Sequence, residues 1–178
     1  SLLKWGLIPS WSKDDRMAYR MINARAETIR EKPAYKNAFN KRRCLLALDG
    51  YYEWQGKEKN PWRIGSLDEK PFAVAGIWET KKTADGSILR TVSVITRPAV
   101  KALEHIHDRM PLTIQSDAFD YWLNNPFSEE RDWMDFIDSA LFPLEKTYRV
   151  SKIVNSVKNN NPECILPFED SNPLLLFE

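Results

Sequence analysis

Residues 71–96 read PFAVAGIWETKKTADGSILRTVSVIT. The opening run, 71–78, is apolar without interruption, as a strand buried on both faces requires. Residues 79–88 turn polar and carry Asp85-Gly86, a pair that reverses a chain at little steric cost. Residues 89–96 alternate apolar and polar, the period of a strand with one buried face. Together they predict an antiparallel hairpin around which the rest of the domain must pack.

Toward the N-terminus, 43–48 (RCLLAL) and 50–55 (GYYEWQ) read as two further strand segments meeting at Asp49-Gly50, either at a turn or at a bulge in one bent strand. Lys57 to Asn60 is a charged loop tip. Glu31 to Phe39 predicts a short helix with Pro33 in its first turn, where proline is tolerated. Residues 19–25 read as extended, and 1–11 as an apolar strand broken by Gly6 and Pro9. An apolar strand at the very start needs a partner, so further chain is expected ahead of Ser1.

Toward the C-terminus, 98–104 allow one short helix, and 116–124 a second with Ser116 or Asp117 as N-cap. A third, over 128–140, would be capped by Ser128 and carry Trp133, Phe136, Ile137 and Ala140 on one face. Residues 147–154 form a late strand, and a Pro-broken tail ends in an apolar patch at 174–177. Strands dominate early and helices late. The expectation is one α+β domain over 1–178: a mixed, mainly antiparallel, curved or barrel-like sheet with peripheral helices.

Composition narrows the function classes. With 26 basic and 25 acidic residues, net charge is +1, so a nucleic acid would have to be held by a local basic cleft rather than by overall charge. No run of 18 apolar residues exists, and no membrane association is expected. Cys44 and Cys164 form no CxxC pair, which argues against a zinc finger or a disulfide scaffold and for a reducing compartment. Seven Trp residues suit either a buried core or stacking on exposed bases.

Polar residues embedded in apolar context are the candidates for chemistry. Asn23 and Arg25, two apart, share one face of a strand and serve either as a hydrogen-bond anchor or as part of a site. Glu53, between Tyr52 and Trp54, is either a desolvated carboxyl tuned for proton transfer or an exposed residue whose aromatic neighbours face away. His105, His107 and Arg109 alternate; an H-x-H pair on a strand binds metal when further ligands exist. Arg25 and Arg109 each suit a phosphate or an ion pair. Neither a glycine-rich phosphate loop nor a GxSxG elbow is present.

Seven segments, in order, resemble the SRAP (SOS response-associated peptidase) family: WGLIPSW at 5–11, NARAET at 23–28, RRCLLALDGYYEW at 42–54, PFAVAGIWE at 71–79, VITRPA at 94–99, IHDRMP at 106–111 and VSKIVN at 150–155. The resemblance implies a protein that captures abasic sites in single-stranded DNA through an N-terminal cysteine, by a Schiff base and then a thiazolidine. It further implies self-processing at the N-terminus and weak lyase-like chemistry. By motif, Asn23, Glu53 and His107 would be catalytic: Asn23 positions the reacting residue, Glu53 shuttles protons and His107 assists sugar ring opening. Arg25 and Arg109 would bind phosphates, Trp11 and Trp54 stack on bases, and Thr96 lies near the sugar. No metal or other cofactor is implied. The partner would be single-stranded DNA with abasic sites, the protein a monomer, and the location the bacterial cytoplasm or a eukaryotic nucleus.

Two departures stand out. The family's Met-Cys-Gly-Arg start is absent, so this polypeptide carries no crosslinking nucleophile; Cys44 matches an internal, structural cysteine. Ala47-Leu48 replace the more usual Pro-Ala. The competing readings are a non-catalytic DNA-binding module and a metal-assisted hydrolase built on His105 and His107.

Overall fold

The computed structural model describes residues 2–12, 14–144 and 146–168; the apolar patch expected at 174–177 lies outside them. The chain begins with β1 (Lys4–Trp5), a short 3-10 helix (Asp15–Arg20), β2 (Asn23–Arg25), α1 (Pro33–Lys41), β3 (Arg43–Leu48), β4 (Tyr51–Gln55) and β5 (Asn60–Gly65). It continues through β6 (Phe72–Lys82), β7 (Ile88–Pro98), β8 (Arg109–Pro111), β9 (Thr113–Ile114), α2 (Phe119–Asn124), α3 (Glu130–Ser139) and β10 (Lys146–Arg149). This is the mixed α+β class the sequence pattern implies. The sheet is not a closed barrel: there are two open sheets, of seven and three strands.

The quoted hairpin is the frame of the larger sheet. β6 and β7 pair antiparallel from Gly76↔Val94 to Lys82↔Ile88. Beyond Gly76 the two strands part, and the segment carrying β8 and β9 runs between them. Ala75 donates its N–H to the Leu112 carbonyl at 2.8 Å, and Leu112 donates to Ile95 at 2.8 Å. β1 and β2 line the other edge of β7 in parallel, while β3 covers β6 antiparallel. These contacts place Asn23 opposite Val94, Arg25 opposite Thr96 and Arg109 opposite Pro98.

Asp49-Gly50 is neither a hairpin turn nor a bulge. β3 belongs to the seven-stranded sheet and β4 to the three-stranded one, so the chain changes sheet at this dipeptide. Arg63, on β5, staples the change: its Nη2 donates to the Asp49 carbonyl at 3.1 Å and lies 3.3 Å from the Asp49 carboxylate. A β-carbon at Gly50 would meet Arg63 Cζ at 2.8 Å, so a larger residue there would displace the guanidinium from this staple.

Other boundaries shift for local reasons. Residues 15–20 coil into a 3-10 helix capped by Asp14, so only 23–25 of the expected extended segment is strand. The helix expected over 98–104 is not formed; β7 runs to Pro98 and tight turns follow. Residues 116–118 make a 3-10 turn that continues into α2, with Gln115 at the cap position and no side-chain cap. α3 starts later than expected, because Glu129 and Asp132 form a reciprocal capping box and Ser128 is not the cap. The late strand is reduced to Lys146–Arg149, paired with β5; Val150 makes a single bridge to Pro167, and residues 152–155 wind into a 3-10 helix.

The apolar face read for α3 is buried: Trp133 is 0% exposed, Phe136 5% and Ile137 4%. Trp133 donates its indole N–H to the Ala26 carbonyl at 2.9 Å, which fixes the helix against the turn after β2. Each such aromatic contributes about 2–3 kcal/mol by leaving water. A second apolar cluster, with Ile64, Phe72, Val74, Ile106 and Met110, fills the space between the two sheets.

Candidate functional site

The site forms at the seam between the sheets. Glu53 sits on β4 opposite Trp62 of β5. His107 lies in the turns before β8, held by hydrogen bonds from its own N–H and that of Ile106 to the Leu103 carbonyl. Gln55 ties the two parts together. Its amide nitrogen donates to the His105 carbonyl at 2.7 Å, and its oxygen accepts from the Trp62 indole at 3.1 Å. The His105 ring packs edge-on against Trp62 at 5.6 Å, so His105 and His107 serve different neighbours.

Glu53, Trp54, Lys59, His107 and Asn155 line one open groove of about 340 Å³. Burial pushes the Glu53 carboxyl above the ordinary glutamate range. The positive charge of a protonated His107, the Trp54 backbone N–H and Lys59 pull it part of the way back, while Asp108 pushes it up. The result is a partly desolvated acid in the same groove as an imidazole, two groups of the kind that pass protons to and from a bound molecule. Trp54 does not swing freely: its indole N–H donates to Asn155 Oδ1 at 2.7 Å.

The imidazole is oriented by the backbone. The Arg109 N–H donates to His107 Nδ1 at 3.0 Å, which in the neutral ring leaves Nε2 as the protonated nitrogen. Asp108 Oδ1 lies 3.1 Å from the same Nδ1 but its side chain is 87% exposed, a partner for the protonated ring only.

The structure brings Glu53, Trp54 and His107 together. Asn23 is not among the groove-lining residues; it is exposed on β2, beside β7, with Arg25 on the same face and Ala24 buried between them. Trp11 is 63% exposed and likewise outside the groove lining.

Arg109 forms an ion pair, one of the two kinds of partner its sequence reading allowed. Its Nη1 and Nη2 grip the Glu27 carboxylate at 2.5 and 3.0 Å, and Nη2 also reaches the carbonyl and hydroxyl of Thr96 at 2.6 and 3.1 Å. Burial alone would raise the Glu27 carboxyl; the hydrogen bond and charge of Arg109, its own backbone and the charge of Arg25 outweigh that and hold it below the usual carboxylate range. Thr96 is only 8% exposed, a bracket for Arg109 beneath the surface.

Three residues at or beside the site escaped the sequence reading: Lys59, Asn155 and Glu27. Asn155 closes the VSKIVN segment and Glu27 lies inside NARAET, so both sat within quoted motifs. Lys59 had no such signal. Burial pushes the Cys44 thiol up to about 11, which keeps it protonated and unreactive at neutral pH. Among the described residues no three His, Cys, Asp or Glu side chains gather as a metal ion requires, so the pair His105 and His107 gains no further ligand there. No helix among the described residues is long and apolar enough to cross a membrane.

Known proteins resemble the chain over most of its length. The family model described as SOS response associated peptidase (SRAP) matches residues 1–157. The abasic site processing protein YoqW of Bacillus subtilis is 41% identical over 170 residues, covering 92% of this chain and 74% of that protein. The abasic site processing protein HMCES of Gallus gallus is 34% identical over 197 residues, covering 94% of this chain and 57% of the relative. Among solved structures, a protein from Bacteroides thetaiotaomicron superposes with a TM-score of 0.80 at 28% identity, over 94% of this chain and 76% of the other. With its fold and nearly all of its length accounted for in this way, the chain belongs to the SRAP family.

Proposed function

We propose that this domain captures abasic sites in single-stranded DNA, the reacting cysteine being supplied by a segment that precedes Ser1. The observation that carries the proposal is the meeting in one groove of a desolvated Glu53 carboxyl, from β4, and the His107 imidazole, from the turns before β8. An abasic deoxyribose opens to an aldehyde, and a terminal amine has a reference pKa of about 7.7–8, so a useful fraction is neutral and nucleophilic. Amine and aldehyde add to a carbinolamine. Protonated Glu53 gives its proton to the departing hydroxyl, water leaves and an imine forms. The cysteine thiol, already on the same residue, adds to the imine carbon while its proton passes to nitrogen, closing a five-membered ring.

His107, with Nδ1 committed to the Arg109 N–H, presents Nε2–H to the ring oxygen or hydroxyl of the sugar during opening. Asn23 and Arg25 are exposed on β2; in this reading Asn23 positions the reacting residue and Arg25 holds a phosphate. Trp54, pinned by Asn155, offers a fixed ring for a base to stack on. The reversible imine also accounts for lyase-like strand cleavage, and the same nucleophile for self-processing.

The test uses the full-length protein, beginning at the cysteine, with a single-stranded oligonucleotide bearing one abasic site. A heat-stable adduct on a denaturing gel is expected. Glu53→Gln should slow its formation by about 10²-fold while leaving noncovalent affinity nearly unchanged. Intact oligonucleotide and no adduct from the wild-type protein defeats the proposal.

A further inference from the structure

We propose that residues 150–168 form a clip that holds the Trp54 ring ready for a base, with Asn155 as the positioning residue, so that chain running past the end of the family match at residue 157 sets how tightly the groove takes single-stranded DNA. The inference rests on the proposed function, in that a base of the bound strand must stack on Trp54.

Trp54 sits where a ring needs holding. β4 is the edge strand of the three-stranded sheet, and both of its faces reach the groove: Glu53 lies on one and Trp54, the next residue, on the other. The indole is half-buried, and its N–H donates to Asn155 Oδ1 at 2.7 Å. A side chain that must be ordered when a ligand arrives takes entropy out of the affinity, whereas a ring already fixed does not.

The acceptor is itself braced. Asn155 ends the 3-10 helix Lys152–Asn155, in which Ser151 Oγ accepts from the Ile153 N–H at 3.4 Å. Asn159, beyond the family match, donates its amide Nδ2 to the Ile153 carbonyl at 2.7 Å. The chain then crosses the three-stranded sheet. The Tyr52 hydroxyl donates to the Cys164 carbonyl at 3.2 Å, the Tyr148 hydroxyl donates to the Ile165 carbonyl at 2.9 Å, and Pro167 bridges back to Val150. Tyr52 and Trp54 are two apart on β4 and share a face, so that face is tied twice to the same segment, once at each end of the clip. The hold on the indole is one end of a continuous brace that closes on the sheet it serves.

The experiment is a double-mutant cycle on full-length protein, read as the anisotropy of a fluorescent single-stranded oligonucleotide with no abasic site, so that adduct chemistry does not enter. Asn155→Ala is expected to weaken binding about threefold. Trp54→Phe keeps a ring to stack on but has no N–H to hold, so adding Asn155→Ala to it should change nothing further. Asn159→Ala, outside the groove lining, should weaken binding less, and its effect should also vanish beside Trp54→Phe. The hold is read without DNA from the Trp54 indole 1H–15N resonance, assigned by its loss in Trp54→Phe, which should move upfield in Asn155→Ala as its hydrogen bond is lost. An equal loss of affinity from Asn155→Ala in both backgrounds means that Asn155 acts on the strand or on stability by itself, and overturns the inference. An unmoved indole resonance, or no loss of affinity in either background, overturns it too. If the cycle behaves as expected but an abasic strand gives no adduct with wild type, the proposed chemistry falls and the clip stands. If wild type binds no single-stranded DNA, both fall together.

Discussion

Glu53 carries a cost that can be measured apart from any activity. Burial raises its pKa in the folded chain above the value it has when unfolded. Below the unfolded value both states are protonated and nothing is lost. As pH rises through and beyond that value the folded state must either keep a proton the unfolded state releases or ionise in a partly desolvated place, so stability falls. Glu53→Gln is therefore expected to raise the melting temperature at neutral pH, with the gain vanishing as pH drops below the ordinary glutamate range. Melting curves at several pH values check this; an equal gain at every pH would mean that ionisation is not the cause. Glu27 has the opposite sign. Its pKa is held down, so its contribution is present above the unfolded value and is lost on acidification through the folded one.

Among elements, the turn after β1 is the most sharply specified. Gly6 has φ +107, and a β-carbon there would stand 2.5 Å from the Ala18 carbonyl oxygen, a backbone atom that cannot step aside. Gly6→Ala should lose about 2 kcal/mol or more, read as a lower denaturant midpoint with an unchanged slope. The sequence marked Gly6 as a break but could not show the 3-10 helix it packs on. The same division holds elsewhere. The β6–β7 hairpin was legible because apolar run, Asp-Gly and alternation all agree, and the α3 face because Trp133, Phe136 and Ile137 recur at helical spacing. β5 was not, since Pro61 and Arg63 blur its alternation and its partners, β4 and β10, are assigned only by tertiary pairing. The α3 cap was misread because Ser128 and Glu129 both fit locally, and only the reciprocal bond of Asp132 decides.

At the scale of the molecule, the near-zero net charge conceals a division. Between residues 116 and 139 seven carboxylates face a single base, Arg131, so the rest of the chain is net basic. A polyanion is thus steered away from α2 and α3 and toward the sheets. Binding to single-stranded DNA should accordingly weaken with added salt, with a slope corresponding to about two to four phosphates, despite a formal charge of +1. Titrations at low and at physiological salt check this, and a flat response would contradict it. The site was legible only in part for a related reason. Glu53 and His107 stand within motifs, but Arg109 and Glu27 are 82 residues apart, and local spacing cannot announce that they neutralise each other.

The change of sheet at Asp49-Gly50 puts Glu53 in the three-stranded ladder, while His107 hangs on the turns that lead into β8 of the seven-stranded one. A molecule gripped by both acts as a splint across them. Its occupancy should slow amide deuterium uptake along all of β4 and β5, far beyond the atoms it touches, so that the bound protein opens as one cooperative body where the free one has a weaker flank.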